Sequence, residues 1–114
     1  MSCLLPQKII FFVLCIMSVM QISGGEFPEP QWCIADEQTP DGVLQQALDW
    51  ACGPGGADCA MIQPKESCYL PNNVKSHASY AFNIYWQKFK NKGGSCYFSG
   101  AAMVTDLNPS KSLK

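Results

Sequence analysis

Two stretches of the chain repeat apolar residues with the spacing of an amphipathic helix. The first follows Thr39-Pro40-Asp41, which supplies an N-cap residue, a proline at the first helical position and an acid in the first turn. Its apolar positions are Leu44, Ala47, Leu48 and Ala51. The glycine-rich run at 53–56 predicts that this helix ends at about Cys52.

The second stretch predicts a helix from about Asn73 to about Lys90, with Asn72 as its N-cap. On a helical wheel, its core face holds Val74, Ala78, Ala81, Phe82, Tyr85 and Phe89. The opposite face, a polar strip, holds Ser76, Ser79, Asn83, Gln87 and Lys90. Tyr80 and Trp86 lie on the two borders of this strip, so aromatic and amide groups are predicted to lie side by side.

The remaining segments predict short strands and turns. Strands are predicted at 32–35, 68–70 and 95–100, with a further short strand at 101–105. A short helical turn is predicted at 58–62, and a turn at 64–67.

The first 25 residues predict a secretory signal peptide. Lys8 precedes an apolar core at 9–17, and the small residues at 23–25 mark a cleavage site. A membrane-spanning helix is the alternative, but the apolar stretch is shorter than the roughly 20 residues that a span requires. The predicted organisation is a signal peptide at 1–25, an extended lead-in at 26–31, one small domain at 32–109 and a polar tail at 110–114.

Seven cysteines in 114 residues point to disulfides and an oxidising compartment. Cys3 and Cys15 would leave with the signal peptide, and the five that remain are an odd number. After cleavage, seven lysines against nine acids give a net charge of −2, and there is no arginine, which argues against nucleic-acid binding. The polar C-terminus predicts neither a lipid anchor nor a transmembrane span after cleavage.

The residue patterns of catalytic and metal sites are missing. His77 is the single histidine and Cys-x2-Cys spacing does not occur, so neither a metal nor another cofactor is expected. Glycoside hydrolysis needs two carboxyl groups across a cleft that so short a chain could hardly build, so no enzyme is expected. The candidate acids, interpreted as solvated surface groups, are Asp36, Glu37, Asp41 and Asp49.

The polar strip has the chemistry of a sugar-binding surface. Aromatic rings cover the apolar faces of sugars, and amides both donate and accept hydrogen bonds. The predicted contacts, on the strip and at the start of the second helix, are Tyr69, Asn72, Tyr80, Asn83, Trp86 and Gln87. The alternative is that Tyr80 and Trp86 only close the edges of the core and that the amides are ordinary solvated residues. His77 is interpreted as a structural residue.

A series of short motifs spans almost the whole chain after the predicted leader. In order, they are WCIA at 32–35, LQQALDWACG at 44–53, GADC at 56–59, IQ at 62–63, CYLPN at 68–72, HASYAFN at 77–83 and SCYF at 95–98. Together they resemble the plant X8 domain, also called carbohydrate-binding module family 43, over residues 31–109. Stand-alone members of this family include pollen allergens and callose-binding proteins at plasmodesmata.

The resemblance implies a small, disulfide-rich α+β fold of two helices packed at an angle with a short antiparallel sheet. It also implies the disulfides Cys33–Cys96 and Cys52–Cys59. The cysteine that pairs with Cys68 in the family would fall beyond the last residue of this sequence, so Cys68 is expected to be unpaired.

The function implied by the resemblance is non-catalytic binding of β-1,3-glucan, the polymer called callose in plant cell walls. We therefore expect a secreted monomer in the cell wall, plasmodesmata included. The alternative is a structural or signalling wall protein that has the same scaffold and little affinity for glucan.

Overall fold

The computed structural model describes residues 30–109, where two helices and a two-stranded sheet form the main regular structure. In chain order the elements are β1 (Trp32–Ala35), α1 (Asp41–Cys52), α2 (Val74–Phe89) and β2 (Ala102–Thr105). The predicted small α+β fold of two helices and a short antiparallel sheet is confirmed. The predicted signal peptide, most of the lead-in and the tail at 110–114 lie outside the described residues.

Helix α1 begins one residue later than the sequence pattern predicts. The carbonyl oxygen of Pro40 accepts the N–H groups of Val43 and Leu44, each at 3.0 Å. Pro40 is therefore the N-cap, and its ψ of 148° is still extended, so helical geometry starts only at Asp41. Thr39 does not cap the helix. The end at Cys52, before the glycine-rich run, agrees with the prediction.

Helix α2 is capped by Asn73 and not by Asn72. The Asn73 side chain accepts the backbone N–H of Ser76 at 2.8 Å, the N3 position of a helix that starts at Val74. Two adjacent asparagines offer the same chemistry, and only the backbone path decides which of them reaches that N–H. At its other end α2 passes into a 3₁₀ turn, Lys90–Lys92.

The core lies where α2 packs against both α1 and β1. Phe82 and Leu44 are fully buried there, and Ala78 and Ala81 are buried as the wheel predicts. Burial extends further round α2 than the wheel predicts, and for Ser79 and Asn83 the reason is β1, which covers a side of the helix that the polar pattern assigns to solvent. The additional buried residues are Ser79, Tyr80 and Asn83.

The sheet pairs β1 with β2 antiparallel, and Cys33 lies opposite Val104. The strands predicted at 68–70 and 95–100 are wrong. The N–H groups of Cys68 and Tyr69 bond to nearby carbonyls within the preceding loop, and Phe98–Gly100 forms a 3₁₀ turn. Residues that favour strands do not form one unless another strand pairs with them.

Two disulfides tie the loops to this core. Cys33–Cys96 joins β1 to the segment after α2, and Cys52–Cys59 closes the loop after α1, as the family resemblance implies. Cys68 is disulfide-bonded as well, so the prediction that it is unpaired is wrong. The prediction rested on the cysteine pattern of the family, whereas pairing depends on which sulfurs are close in space.

Candidate functional site

The polar strip predicted on α2 lies against the edge of β1. Ser79 Oγ accepts the Ala35 N–H at 2.9 Å, and Asn83 Oδ1 accepts the Cys33 N–H at 3.0 Å. Both N–H groups lie on the edge of β1 that faces away from β2. Asn83 is 0% exposed, so its amide holds the strand and does not face solvent.

Gln87 extends this contact by one more helical turn. Its Nε2 donates to the carbonyl oxygen of Gln31 at 2.7 Å and to Asn83 Oδ1 at 3.1 Å. Four helical residues advance about 6.0 Å and two strand residues about 6.6 Å, so every turn of α2 meets every second residue of the strand. The side chains of α2 thus satisfy backbone groups that an open sheet edge would leave unpaired.

The two aromatic residues at the borders of the strip are also engaged in the fold. Tyr80 is 8% exposed. Burial raises the pKa of its hydroxyl, and the carboxylate of Asp58 raises that pKa further. Trp86 is half-buried, and the Lys90 ammonium lies 4.8 Å from the centroid of its ring, within the range of a cation–π contact.

The predicted contacts at the start of α2 form a separate group. The ring of Tyr69 lies 5.4 Å from that of His77, whose Nε2 donates to the Tyr69 carbonyl oxygen at 2.7 Å. This bond supports the structural interpretation of His77. Asn72 is exposed. Of the six predicted contacts, Tyr80 and Asn83 are buried in the fold. The four that keep accessible surface are Tyr69, Asn72, Trp86 and Gln87, and Gln87 also bonds to the backbone.

The structure also contains an open cleft that the sequence pattern did not reveal. It encloses about 420 Å³ between α1, α2 and the loop at 95–99. Its lining residues are Val43, Gln46, Ala47, Trp50, Tyr85, Ser95, Phe98 and Ser99. No carboxyl group belongs to this lining.

Aromatic rings form one wall of the cleft. The Trp50 ring centroid lies 5.4 Å from that of Tyr85 and 6.0 Å from that of Phe98, both edge to face. Phe98 in turn stacks on the buried Phe82, with centroids 4.2 Å apart and planes 15° from parallel. Trp50 nevertheless remains 45% exposed. A large apolar ring is thus fixed by its neighbours and still open to solvent.

The loop that carries Phe98 has an unusual backbone. Phe98 and Ser99 have φ values of 50° and 56°, followed by Gly100 at 88°. Left-handed backbone in a bulky residue such as Phe98 is a rare conformation that costs on the order of 1–3 kcal/mol. The stacking on Phe82 and the nearby Cys33–Cys96 bond hold this turn in place.

Gly55 fixes the position of the Trp50 ring. A Cβ at residue 55 would lie 2.8 Å from Cζ3 of Trp50, closer than side chains tolerate. The Gly55 N–H also donates to the Trp50 carbonyl oxygen at 2.8 Å. The glycine-rich run therefore does more than end α1, because it lets the following loop pack directly against the indole.

One signal in the sequence could have located the cleft. Val43, Gln46 and Trp50 are spaced i, i+3 and i+7, so they share a face of α1 beside its buried face. The other walls could not be found in this way. Tyr85 and Phe98 join this face only through packing between distant segments.

Residues 30–109 were also compared with the requirements of a metal site and of a membrane span. No group of three potential metal ligands occurs there. Within the same residues, neither helix is long and apolar enough to cross a membrane.

Comparison with known proteins identifies the family. The model of the X8 domain matches residues 31–103, which is more than half of the chain. The chain belongs to the X8 domain family. The resemblance deduced from the ordered motifs is thereby confirmed. The matched residues include both helices and the three residues of the aromatic wall, Trp50, Tyr85 and Phe98. No solved structure matches the chain significantly.

Some relatives that match this chain are named as glucan endo-1,3-beta-glucosidases, and another is named as a callose-binding protein. Glucan endo-1,3-beta-glucosidase 1 of Arabidopsis thaliana is 58% identical over 79 residues, 69% of this chain and 16% of that protein. Plasmodesmata callose-binding protein 1 of the same plant is 42% identical over 95 residues, 83% of this chain and 47% of that protein. The chain thus spans less than half the length of either relative.

Proposed function

We propose that this protein binds β-1,3-glucan and does not cleave it. The observation that carries this proposal is that relatives named for hydrolysis of 1,3-β-glucan and a relative named for binding callose match the chain through the same X8 segment. Callose is itself a β-1,3-glucan, so recognition of this polymer is the property that the two kinds of name share. Hydrolysis would belong to the parts of the glucosidases that this chain does not match.

The geometry of the described residues supports binding without cleavage. The cleft presents aromatic rings beside an amide and hydroxyl groups, which suits sugar rings with apolar faces and polar rims. Glycoside hydrolysis uses two carboxyl groups about 5–10 Å apart, and none lines the cleft. Four residues of the sequence prediction remain accessible and stay candidates for additional contact with the polymer: Tyr69, Asn72, Trp86 and Gln87.

The proposed location is the plant cell wall, reached by secretion. Disulfides form and persist in oxidising compartments, and the two within residues 30–109 suit this location. We propose that the protein acts there as a monomer.

Affinity electrophoresis tests the proposed function. The protein should migrate more slowly in a native gel containing laminarin, a soluble β-1,3-glucan, than in a gel without polysaccharide or with a soluble β-1,4-glucan. Equal mobility in all three gels would overturn the proposal. Incubation with laminarin should release no reducing sugar, and release would contradict the non-catalytic role.

A structural or signalling role in the wall is the second candidate. The observation that favours it is the use of Asn83 and Gln87, two predicted sugar contacts, to hold β1. Under this alternative the folded protein would show unaltered mobility in laminarin gels.

A further inference from the structure

We infer that the cleft between α1, α2 and the 95–99 loop is the glucan-binding site, with the Trp50 indole as the surface on which one sugar ring stacks. This inference rests on the proposed function and deepens it by assigning the site. The ligand is a β-1,3-linked glucose chain that lies across the open cleft.

Trp50 is the main reason for this assignment. Its ring is 45% exposed although it contacts Tyr85 and Phe98. Both contacts are edge to face and not stacked, and almost half of the Trp50 surface stays open to solvent, which leaves room for a sugar ring. Trp86, by comparison, already has the Lys90 ammonium over its ring.

The polar lining residues complete the site. Gln46 on α1 and the hydroxyls of Ser95 and Ser99 on the loop are exposed around the aromatic wall. The amide can donate and accept, and each hydroxyl can do both, which matches the hydroxyl groups of glucose. The volume of about 420 Å³ is within the range of about 300–1,000 Å³ that is typical of small-molecule sites.

The backbone of the loop is an independent observation that points to the same place. Phe98 and Ser99, both in the cleft lining, have left-handed φ values. Strained backbone of this kind clusters at ligand-binding sites, where the surrounding structure maintains it. Here Phe98 is held by stacking on Phe82, and the adjacent Cys96 is bonded to Cys33. The cleft is therefore formed before any sugar arrives, which lowers the entropic cost of binding.

Two substitutions in the cleft test the assignment by isothermal titration with a laminarin hexasaccharide. Trp50→Ala should weaken binding about tenfold or more, since it removes the stacking surface. Because Trp50→Ala also removes contacts in the aromatic cluster, the second variant is Gln46→Ala, an exposed position. Loss of its hydrogen bonds should weaken binding by about threefold to tenfold.

Matched controls separate the cleft from the rest of the surface. Gln45→Ala changes the adjacent exposed amide on α1, and Tyr97→Ala removes a ring that is 65% exposed; neither residue lines the cleft. Both variants should bind as the wild type does, and circular dichroism should show that all four variants are folded.

The possible outcomes distinguish this inference from the proposed function. If the wild-type protein binds and both Trp50→Ala and Gln46→Ala bind equally well, the cleft is not the site and this inference alone is overturned. Loss of binding with Trp86→Ala but not with Trp50→Ala would likewise overturn it and place the site on α2. If the wild-type protein does not bind laminarin or the hexasaccharide, the proposed function fails and the inference fails with it.

Discussion

Asn83→Ala should destabilise the protein although it changes a residue that sequence patterns assign to the surface. In the structure, Asn83 is fully buried. Its Oδ1 accepts hydrogen bonds from the Cys33 N–H at 3.0 Å and from the Gln87 side-chain amide at 3.1 Å. Removing the acceptor leaves a buried N–H unsatisfied at the edge of β1, which costs about 1–3 kcal/mol. The cavity adds to this cost, and the better helix propensity of alanine offsets up to about 0.7 kcal/mol of it.

The expected net loss is about 2–3 kcal/mol, a large part of the roughly 5–15 kcal/mol that stabilises a typical domain. Urea unfolding of the oxidised protein, followed by tryptophan fluorescence, measures it. With a slope of about 1 kcal/mol per molar urea for a domain of this size, the midpoint should fall by about 2–3 M. Asn72→Ala, at an exposed position, is the control and should move the midpoint by less than about 0.5 M. If the midpoint of Asn83→Ala is as close to wild type as that of the control, the Asn83 side chain does not stabilise the edge of β1 as argued.

Two further predictions concern Tyr80 and Gly55. Because the pKa of Tyr80 is raised in the folded protein, the folded state holds this proton more tightly than the unfolded chain, so stability should fall as pH rises above about 10. Between about pH 9 and about pH 11, the urea midpoint should fall less steeply with pH for Tyr80→Phe than for Tyr97→Phe, which changes an exposed residue and serves as the control. Identical slopes would contradict the link between the raised pKa of Tyr80 and the loss of stability. Gly55→Ala should displace the Trp50 ring and weaken laminarin binding by about threefold or more. Gly42→Ala, where an added Cβ meets nothing within 4 Å, should bind as the wild type does, and equal affinities of the two glycine variants would show that ring position is unimportant.

The helices could be predicted from the sequence because their signals are local. The repeat of Leu44, Leu48 and Ala51 places α1, and the glycine run after Cys52 ends it. The N-caps were each displaced by one residue, since neighbouring polar side chains compete and a small change in backbone path selects one of them. The two disulfides within 30–109 followed from family spacing, whereas the bond of Cys68 did not follow from it.

The polar strip shows the limit of pattern analysis. Periodicity identified Ser79, Asn83 and Gln87 as one face of α2, and the structure keeps them on one face. Periodicity shows which face of a helix is polar, but not whether that face is exposed. A polar face can be buried if the surface that covers it is also polar. The open edge of a strand is such a partner, because its N–H and C=O groups need hydrogen bonds once water is excluded.

The sequence by itself determined the family, the two helices and the residue types available for sugar binding. Only the tertiary structure decided which of those residues face solvent and which of them lie together. Trp50, Tyr85 and Phe98 are far apart in the chain, and they meet because α1 and α2 pack on one core and a left-handed turn directs Phe98 into it. Contacts between distant segments depend on the whole packing arrangement, which no local pattern encodes.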